Sequence, residues 1–369
     1  MVHDVALIVS DMHNGGTQRV YAILANAWAT KGKKVCLITQ ADPETDFHAL
    51  DSRITRIVCG GLGNSAGFLS AIGNNMARIL RLRSAIRQAE APVAVAAIAP
   101  MAILSVIAGW GLATRIIVAE RNDPARQSYG PVWDRLRRLV YPRAFLVTAN
   151  SKGALVSLQT MVPNRKLRYL PNPLNPVALP QSGEGRQKTI LNVARLYRHK
   201  AQRELLEAFA MLVKDHTDWR LAIAGGGPEK DNLAQLAFDL NISERVDFLG
   251  VVEDLAPVYA QASIFVLPSR YEGTPNALLE AMSSGLAPIV SDGSPGPLEI
   301  IAEGEAGLSF PVDDVKALAD AMRRLINDEK ERARLALAAQ ESVRPFALEN
   351  SLEVWNDVLG LEAAGIGVA

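Results

Sequence analysis

The sequence predicts an α/β protein made of two doubly wound domains, and three observations support that prediction. At 369 residues the chain is far longer than the ~150 residues usual for one domain. Short β-rich apolar runs alternate with longer helical patterns, as they do in parallel sheets covered on both faces. A proline-rich polar segment interrupts this alternation near the middle. Each half is therefore expected to form its own Rossmann-like sheet.

Each half contains six predicted strands. In the first half they are VALIVS (5–10), KVCLIT (34–39), TRIVCG (55–60), VAVAAI (93–98), RIIVAE (115–120) and FLVTAN (145–150). In the second half they are TILNVA (189–194), WRLAIAG (219–225), VDFLG (246–250), SIFVLPS (263–269), APIVSD (287–292) and GLSFPV (307–312). Ligands of open parallel sheets bind at the carboxyl ends of strands, so the loops that follow these strands should hold the site.

The predicted linker between the halves is LPNPLNPVALPQSGEGRQK, in which prolines precede a polar stretch. This composition resists regular structure. We therefore place the first domain at residues 1–180 and the second at 181–345. After Pro345, apolar periodicity predicts a closing helix over 346–364 that packs back on the first domain.

Neither a membrane span nor an export signal is predicted. Residues 91–114 are uncharged, but Pro100 divides them into a strand-like VAVAAI and a helix-like MAILSVIAGW. The N-terminus MVHDVALIVSDM lacks the basic region of a secretory signal. Cys36 and Cys59 lie in apolar runs, where buried free thiols are expected. These features favour a reducing, cytoplasmic location.

The net charge of the chain is zero, but it is divided unequally between the halves. Residues 1–180 carry 21 Lys+Arg and 10 Asp+Glu, and the remainder carries 18 and 29. An anionic partner should therefore meet the first half. That half lacks the stacked aromatic residues that single-stranded nucleic-acid sites often use, so we expect no nucleic-acid partner.

Two segments of the first half concentrate its positive charge. They contain Arg78, Arg81, Arg83 and Arg87 within 75–89, and Arg135, Arg137, Arg138 and Arg143 within 133–143. Because these cations alternate with Leu, Ile and aromatic residues, they predict peripheral docking on an anionic membrane, at the inner face of the plasma membrane. Solvated helix faces are the alternative interpretation.

The first strand leads into a helix through DMHNGG. Gly15 and Gly16 would let backbone N–H groups approach a phosphate or a sugar at the positive end of that helix. A simple tight turn would explain the pair equally well.

In the second half, NVARLYRHKAQ follows the first strand. Arg195 offers a planar fork and Lys200 a point charge, which together suit a diphosphate. Two solvated cations are the alternative, and the position at a strand end favours the site. The next strand ends in Gly225-Gly226-Gly227-Pro228, which lacks the spacing of a dinucleotide fingerprint and is interpreted as a glycine turn before a helix.

The strongest motif is SRYEGTPNALLEAMSSG. Thr274 suits an N-cap, Pro275 the first helical position and Gly285 the helix stop. Glu272 then precedes the helix and Glu280 lies in its second turn. Two carboxylates there can accept hydrogen bonds from the vicinal hydroxyls of a sugar or ribose. Ordinary surface glutamates are the alternative.

Taken together, the segments GG, ARLYRHK, AGGGPE, EGTPNALLE and SDGSPGPLEIIAEGEAGLSF resemble the family-4 retaining glycosyltransferases of the GT-B fold, of bacterial polysaccharide or glycolipid type. The resemblance covers nearly the whole chain. It implies two Rossmann-like domains facing each other across a cleft, an acceptor-side first domain and a nucleotide-sugar donor domain after it. The family uses no metal, and the nucleotide sugar is a substrate rather than a cofactor.

The resemblance also implies roles for individual residues. Arg195 and Lys200 would hold the nucleotide diphosphate, Glu272 would contact the donor sugar, and these three form the predicted catalytic set. The predicted donor-binding residues are Gly15, Gly16, Gly225, Gly273, Thr274, Pro275, Asn276 and Glu280. A UDP-sugar is expected before a GDP-sugar.

Where many family members carry a His, after the strand RIIVAE, this sequence has Arg121. Arg121 and Asp123 are therefore candidates for acceptor or sugar contact, as is His13 beside the glycine pair. Ala194 and Ala201 replace glycines that usually flank the phosphate-binding Arg and Lys, and neither change removes a charge.

The expected function is transfer of a hexosyl group to a lipid-linked glycan or polysaccharide precursor. A nucleotide-sugar epimerase of similar fold and a noncatalytic sugar-nucleotide binder are the alternatives. The donor base, the sugar and the linkage stay open.

Overall fold

The computed structural model describes residues 2–61, 68–174, 186–302 and 304–361. The chain divides into two compact units, Met1–Pro173 with Glu349–Ala369, and Leu174–Leu348. The predicted boundary between residues 180 and 181 lies outside the described residues, as does the end of the predicted closing helix.

The first unit contains a seven-stranded parallel sheet with the order β3-β2-β1-β4-β5-β6-β7. Its strands are β1 Val5–Ile8, β2 Val35–Thr39, β3 Thr55–Val58, β4 Val93–Ala97, β5 Arg115–Glu120, β6 Leu146–Ala149 and β7 Leu167–Tyr169. The six predicted strands are confirmed. The seventh strand, β7, was not predicted, because a three-residue edge strand is too short to show a periodic pattern.

In the described part of this unit, six α-helices accompany the sheet. They are α1 Gly16–Thr30, α2 Phe68–Ala89, α3 Ala99–Gly109, α4 Pro131–Val140, α5 Lys152–Leu158 and, at the far end of the chain, α13 Leu348–Leu359. Trp355 of α13 packs edge-on against Trp28 of α1, with ring centres 6.1 Å apart. Its indole N–H donates to the carbonyl of Pro171 at 2.9 Å. The final helix thus belongs to the core of the first unit.

The second unit contains a six-stranded parallel sheet with the order β10-β9-β8-β11-β12-β13. Its strands are β8 Thr189–Val193, β9 Arg220–Ala224, β10 Val246–Gly250, β11 Ile264–Leu267, β12 Ala287–Ser291 and β13 Leu308–Phe310. Its helices are α6 Gln202–Ala210, α7 Lys230–Asp239, α8 Ala256–Gln261, α9 Asn276–Ser283, α10 Pro295–Ile301, α11 Val315–Asn327 and α12 Glu329–Ser342. All six predicted strands are confirmed.

Both sheets reverse their strand order at an interior strand. In the first unit β1 pairs with β2 on one side and with β4 on the other. In the second unit β8 lies between β9 and β11 in the same way. Loops that leave adjacent strands in opposite directions open a crevice at such a point. The loops after β1, β8 and β11 are therefore well placed for ligands.

The uncharged segment 91–114 folds as predicted, into the buried strand β4 and the helix α3. Ile98 joins them with a positive φ of 69°. Within the described residues, no helix is both long and apolar enough to span a bilayer. Cys36 is a buried free thiol as predicted, whereas Cys59 is only partly buried.

Candidate functional site

Lys200 and Glu272 meet although 72 residues separate them in the chain. Lys200 closes a short 3₁₀ turn after β8, and Glu272 lies in the loop after β11. The Lys200 Nζ and the Glu272 Oε1 are 2.5 Å apart, and the two side chains are 14% and 10% exposed. Such a largely buried ion pair is a charge-assisted hydrogen bond. The two loops predicted to form the donor site therefore do come together.

The Glu272 loop is fixed by a second strand end. The backbone N–H of Glu272 donates to the Ser294 hydroxyl at 2.9 Å, in a buried contact just before α10. This bond fixes the backbone from which the Glu272 carboxylate extends. Surface exposure, the alternative interpretation for this glutamate, is wrong.

Glu280 is also buried, in the second turn of α9. Its Oε2 accepts a hydrogen bond at 3.0 Å from the hydroxyl of Tyr259, a fully buried residue of α8. The surface-glutamate alternative is wrong here too. A buried carboxylate bonded to a tyrosine is held in one orientation, as recognition of a ligand hydroxyl requires.

The helix after Glu272 begins one residue later than predicted. Pro275 occupies the N-cap position and Asn276 is the first helical residue, so the Thr274 N-cap was wrong. Gly273, Thr274 and Pro275 are buried. The first turn of α9 nevertheless starts directly after the Glu272 loop, which places the positive end of the helix dipole at the same strand end.

The glycine turn after β9 packs against the loop that carries Arg195. A Cβ on Gly225 would lie 1.9 Å from the carbonyl oxygen of Ala194, and one on Gly227 would lie 2.4 Å from that of Leu196. Gly225 also has a positive φ of 145°. These glycines allow a close approach of two backbones. Arg195 itself is exposed, and its guanidinium lies 5.1 Å from the centre of the Tyr197 ring.

In the first unit, Asp11 organises the glycine loop, a role the sequence did not suggest. One carboxylate oxygen of Asp11 accepts from the backbone N–H of His13 at 3.1 Å and from the Gln18 amide at 3.0 Å. Gly15 is the N-cap of α1, where a Cβ would meet the Gln18 side chain at 2.3 Å. His13 is exposed, with its Nδ1 3.4 Å from Asp11.

Comparison with known proteins assigns both units. Residues 15–173 match the model described as a glycosyl transferase 4-like domain, and residues 179–342 match glycosyl transferases group 1. The chain belongs to the family-4 glycosyltransferases of the GT-B fold. The family predicted from the motifs is thus confirmed.

Relatives of this glycosyltransferase include bacterial enzymes of glycan assembly. A GalNAc-α-(1→4)-GalNAc-α-(1→3)-diNAcBac-PP-undecaprenol α-1,4-N-acetyl-D-galactosaminyltransferase of Campylobacter jejuni is 26% identical, over 95% of this chain and 96% of that protein. An exopolysaccharide phosphotransferase of Streptomyces coelicolor is 32% identical over 70% of this chain, which spans 27% of that protein.

A solved structure of Anabaena HepE with UDP-glucose has a TM-score of 0.83 and 16% identity. The match covers 97% of this chain and 100% of the HepE chain. At this low identity the likeness supports the fold alone.

Arg121 of the glycosyltransferase lies inside the first unit and is 8% exposed. Its Nη1 donates to Asn172 at 3.0 Å, and its guanidinium lies 5.2 Å from the centre of the Trp355 ring. Burial lowers the pKa of this guanidinium. Asp123 is buried as well and accepts from the backbone N–H of Ala125 at 2.9 Å, so it stabilises its own loop.

The assignment of Arg137 to the membrane-docking arginines is wrong. Arg137 is 4% exposed, and its Nη2 donates to the carbonyls of Pro124 and Gln127 at 3.2 and 3.0 Å. Its Nη1 lies 3.7 Å from the buried Glu120 carboxylate. Arg137 therefore holds the loop after β5 in place, a role that its position in a basic run did not reveal.

The Arg83 side chain also forms hydrogen bonds within the protein. Its Nη1 donates to the carbonyls of Ala108 and Trp110, at 2.7 and 2.6 Å, at the end of α3. The Arg78 side chain donates to the carbonyl of Gly61 at 2.8 Å. The remaining members of the two segments, Arg81, Arg87, Arg135, Arg138 and Arg143, are exposed.

Proposed function

We propose that this glycosyltransferase moves a hexosyl group from a nucleotide diphosphate sugar to a lipid-linked or polysaccharide-precursor acceptor, with retention at the anomeric carbon. One observation carries the proposal: Lys200 and Glu272, from two strand-end loops of the second unit, lie 2.5 Å apart. A diphosphate needs positive charge and a sugar needs hydrogen-bond acceptors, and this pair offers both at one point.

The donor is proposed to bind in the second unit. Lys200 and Arg195 neutralise the diphosphate, and the N–H groups around Asn276 at the start of α9 add partial positive charge. Glu272 accepts from sugar hydroxyls and Glu280 from the ribose. A UDP-sugar is proposed ahead of a GDP-sugar.

The proposed chemistry requires neither a metal nor a protein base. The acceptor oxygen bonds to the anomeric carbon while the bond from that carbon to the diphosphate oxygen breaks on the same face. The departing diphosphate receives the electron pair and takes the acceptor proton. Lys200 and Arg195 stabilise the negative charge that develops, which is often the largest contribution to catalysis.

The acceptor is proposed to be lipid-linked and to be met at an anionic membrane. The undecaprenol-linked substrate named for the Campylobacter relative supports this class. In the first unit α3 packs against both α2 and α4. The exposed apolar and cationic residues of these helices, and of the turns that follow α3 and α4, are here called the basic apolar face: Leu80, Arg81, Arg87, Trp110, Arg135, Arg138, Leu139 and Arg143.

Such a combination fits anionic phospholipid, because apolar side chains enter the interface while cations remain at the headgroups. We propose that the enzyme is peripheral at the cytoplasmic face of the plasma membrane. The glycine loop at Gly15 and Gly16 is proposed to contact the donor phosphate or the acceptor.

The function is tested by incubating the protein with a panel of nucleotide sugars, first alone and then with lipid-linked acceptors, and by assigning the product anomer by NMR. We expect slow donor hydrolysis, acceptor-dependent transfer with retention, and rates unchanged by EDTA. Donor isomerisation without an acceptor would identify an epimerase. Donor binding without any turnover would identify a noncatalytic binder, and either result overturns the proposal.

A further inference from the structure

Two stacked rings join the loops that carry Lys200 and Glu272. The His199 and Tyr271 rings are 4.9 Å apart between centres and inclined by only 10°. His199 directly precedes Lys200, and Tyr271 directly precedes Glu272. The stack therefore links the two residues adjacent to the ion pair, and it joins the loops that follow the paired strands β8 and β11.

Arg270 joins the same two loops through hydrogen bonds. Its backbone N–H donates to the His199 carbonyl at 2.8 Å, and its guanidinium donates to the carbonyl of Arg198. The Arg270 side chain also pairs with Glu204 of α6 and with Asp313, the latter at 2.8 Å. The turn after β8 is thus tied to the loop after β11 by both backbone and side-chain contacts.

A lysine needs such support because its four-carbon stem has many rotamers, each of which places the ammonium elsewhere. The ion pair with Glu272 fixes only the end of the stem. The position of the Lys200 Cα depends on the conformation of the 3₁₀ turn Arg198–Lys200. The ring stack restrains that turn at the neighbouring residue, His199.

We propose that His199 and Tyr271 are positioning residues of the donor site, and that their ring stack holds Lys200 where a diphosphate is neutralised. The inference rests on the proposed function, because it takes Lys200 and Glu272 as donor-binding residues. Neither ring is proposed to touch the reacting atoms, because the stack acts through Lys200.

The charge of the histidine is consistent with a stacking role. Burial, with Lys200, Arg195 and Arg270 nearby, lowers the pKa of His199 to about 4, and Glu272 opposes that effect. The imidazole is therefore neutral near pH 7. A neutral ring stacks on Tyr271 without adding a second positive charge beside Lys200.

The kinetic test compares His199→Ala, which removes the ring, with His199→Phe, which keeps a ring and removes the imidazole. We expect His199→Ala to lower kcat by between about tenfold and a hundredfold, with the donor KM within about threefold of wild type. His199→Phe should stay within about threefold in both. Tyr271→Leu and Tyr271→Phe form a second pair with the same expectation, and carry the test if His199→Ala fails to fold. His216→Ala, a histidine of the same unit outside the site, is the control.

A chemical test separates this inference from the function itself. Brief acetylation with acetic anhydride, read by mass spectrometry, measures the reactivity of Lys200 against the exposed Lys214 in the same sample. We expect Lys200 to be protected in the wild type and in His199→Phe, and at least about threefold more reactive in His199→Ala, where the side chain gains rotamer freedom. This readout needs no substrate, so it remains informative even if no donor is ever transferred.

Equal activity and equal Lys200 protection in His199→Ala and His199→Phe would overturn the inference. Equal loss of activity in both would also overturn it, because the imidazole itself would then be required. Absence of turnover in the wild type, with Lys200 deprotected only in the ring-deleted variants, would instead count against the proposed function and leave the positioning role supported.

Discussion

The guanidinium of Arg121 lies 5.2 Å from the centre of the Trp355 ring, and its Nη1 donates to Asn172. Asn172 comes just before the chain leaves the first unit, and Trp355 follows soon after it returns. One buried arginine at the end of β5 therefore contacts both segments by which the chain passes between its units. This placement favours a structural role over contact with the acceptor.

Arg121→Ala should lower the free energy of unfolding by about 2–3 kcal/mol, since it removes a cation–π contact and leaves a cavity under Trp355. Arg121→Met should cost less, because an apolar side chain of similar length fills the site without a buried charge. Urea unfolding measures both. If Arg121→Met stays folded but loses transfer activity, Arg121 contacts the acceptor and the structural role is wrong.

Ala201 directly follows Lys200 and has a left-handed backbone conformation, with φ 55° and ψ 34°. This conformation suits the glycine that the family resemblance implies at this position. A Cβ in this conformation costs about 1 kcal/mol. Ala201→Gly should therefore raise the free energy of unfolding, or leave it unchanged if backbone entropy offsets the relief of strain. Ala208→Gly, within α6, is the matched control and should destabilise by about 1 kcal/mol or more. A loss of stability in Ala201→Gly as large as that of the control would contradict the assigned conformation.

The lowered pKa of His199 makes stability depend on pH. The folded value is about 4 against an ordinary 6.5, so the unfolded chain binds more protons between those values. The contribution is complete above pH 6.5 and is lost as the pH falls toward 4. As the pH falls through this window, the unfolding free energy of the wild type should therefore decrease relative to that of His199→Phe. The decrease should be up to about 1.4 kcal/mol per pH unit. Denaturant unfolding at several pH values checks this, and a difference independent of pH would show that His199 titrates normally.

The basic apolar face should bind anionic vesicles in a salt-sensitive way. Reversing the charge of Arg81, Arg87, Arg135 and Arg138 to Glu should lower the partition coefficient by roughly 100-fold or more, at about 1 kcal/mol for each cation. Reversal of the exposed Lys214, Lys230, Lys316 and Arg203 in the second unit is the matched control. Vesicle co-sedimentation measures both. Equal binding of the two variants would show that the basic apolar face does not bind anionic membranes.

Predictions from the sequence succeeded where one segment carries its own signal. Strand runs, the position of loops at strand ends, and the motif around Glu272 are local patterns, and they located the elements that form the candidate site. The stack of His199 on Tyr271 could not be predicted in this way. It depends on which strands become neighbours in the sheet, and nothing in either segment alone specifies that.

Burial of charged residues was the other source of error. Arg137 lies in a run of arginines that predicts a solvated surface, but carbonyls of the preceding loop and the Glu120 carboxylate draw it inward. The N-cap at Thr274 failed for a related reason. The segment before α9 is fixed by burial, so the helix begins one residue later than side-chain capping preferences indicate.

Lys200, paired with Glu272, is proposed to neutralise the diphosphate of a sugar donor. The most direct test is the kcat of Lys200→Met in acceptor-dependent transfer, with Lys214→Met as the control and thermal unfolding as a check on folding. We predict a loss of about 100-fold or more in kcat for Lys200→Met, with the control within about twofold of wild type. Near-normal turnover by a folded Lys200→Met variant would show that Lys200 does not neutralise the diphosphate.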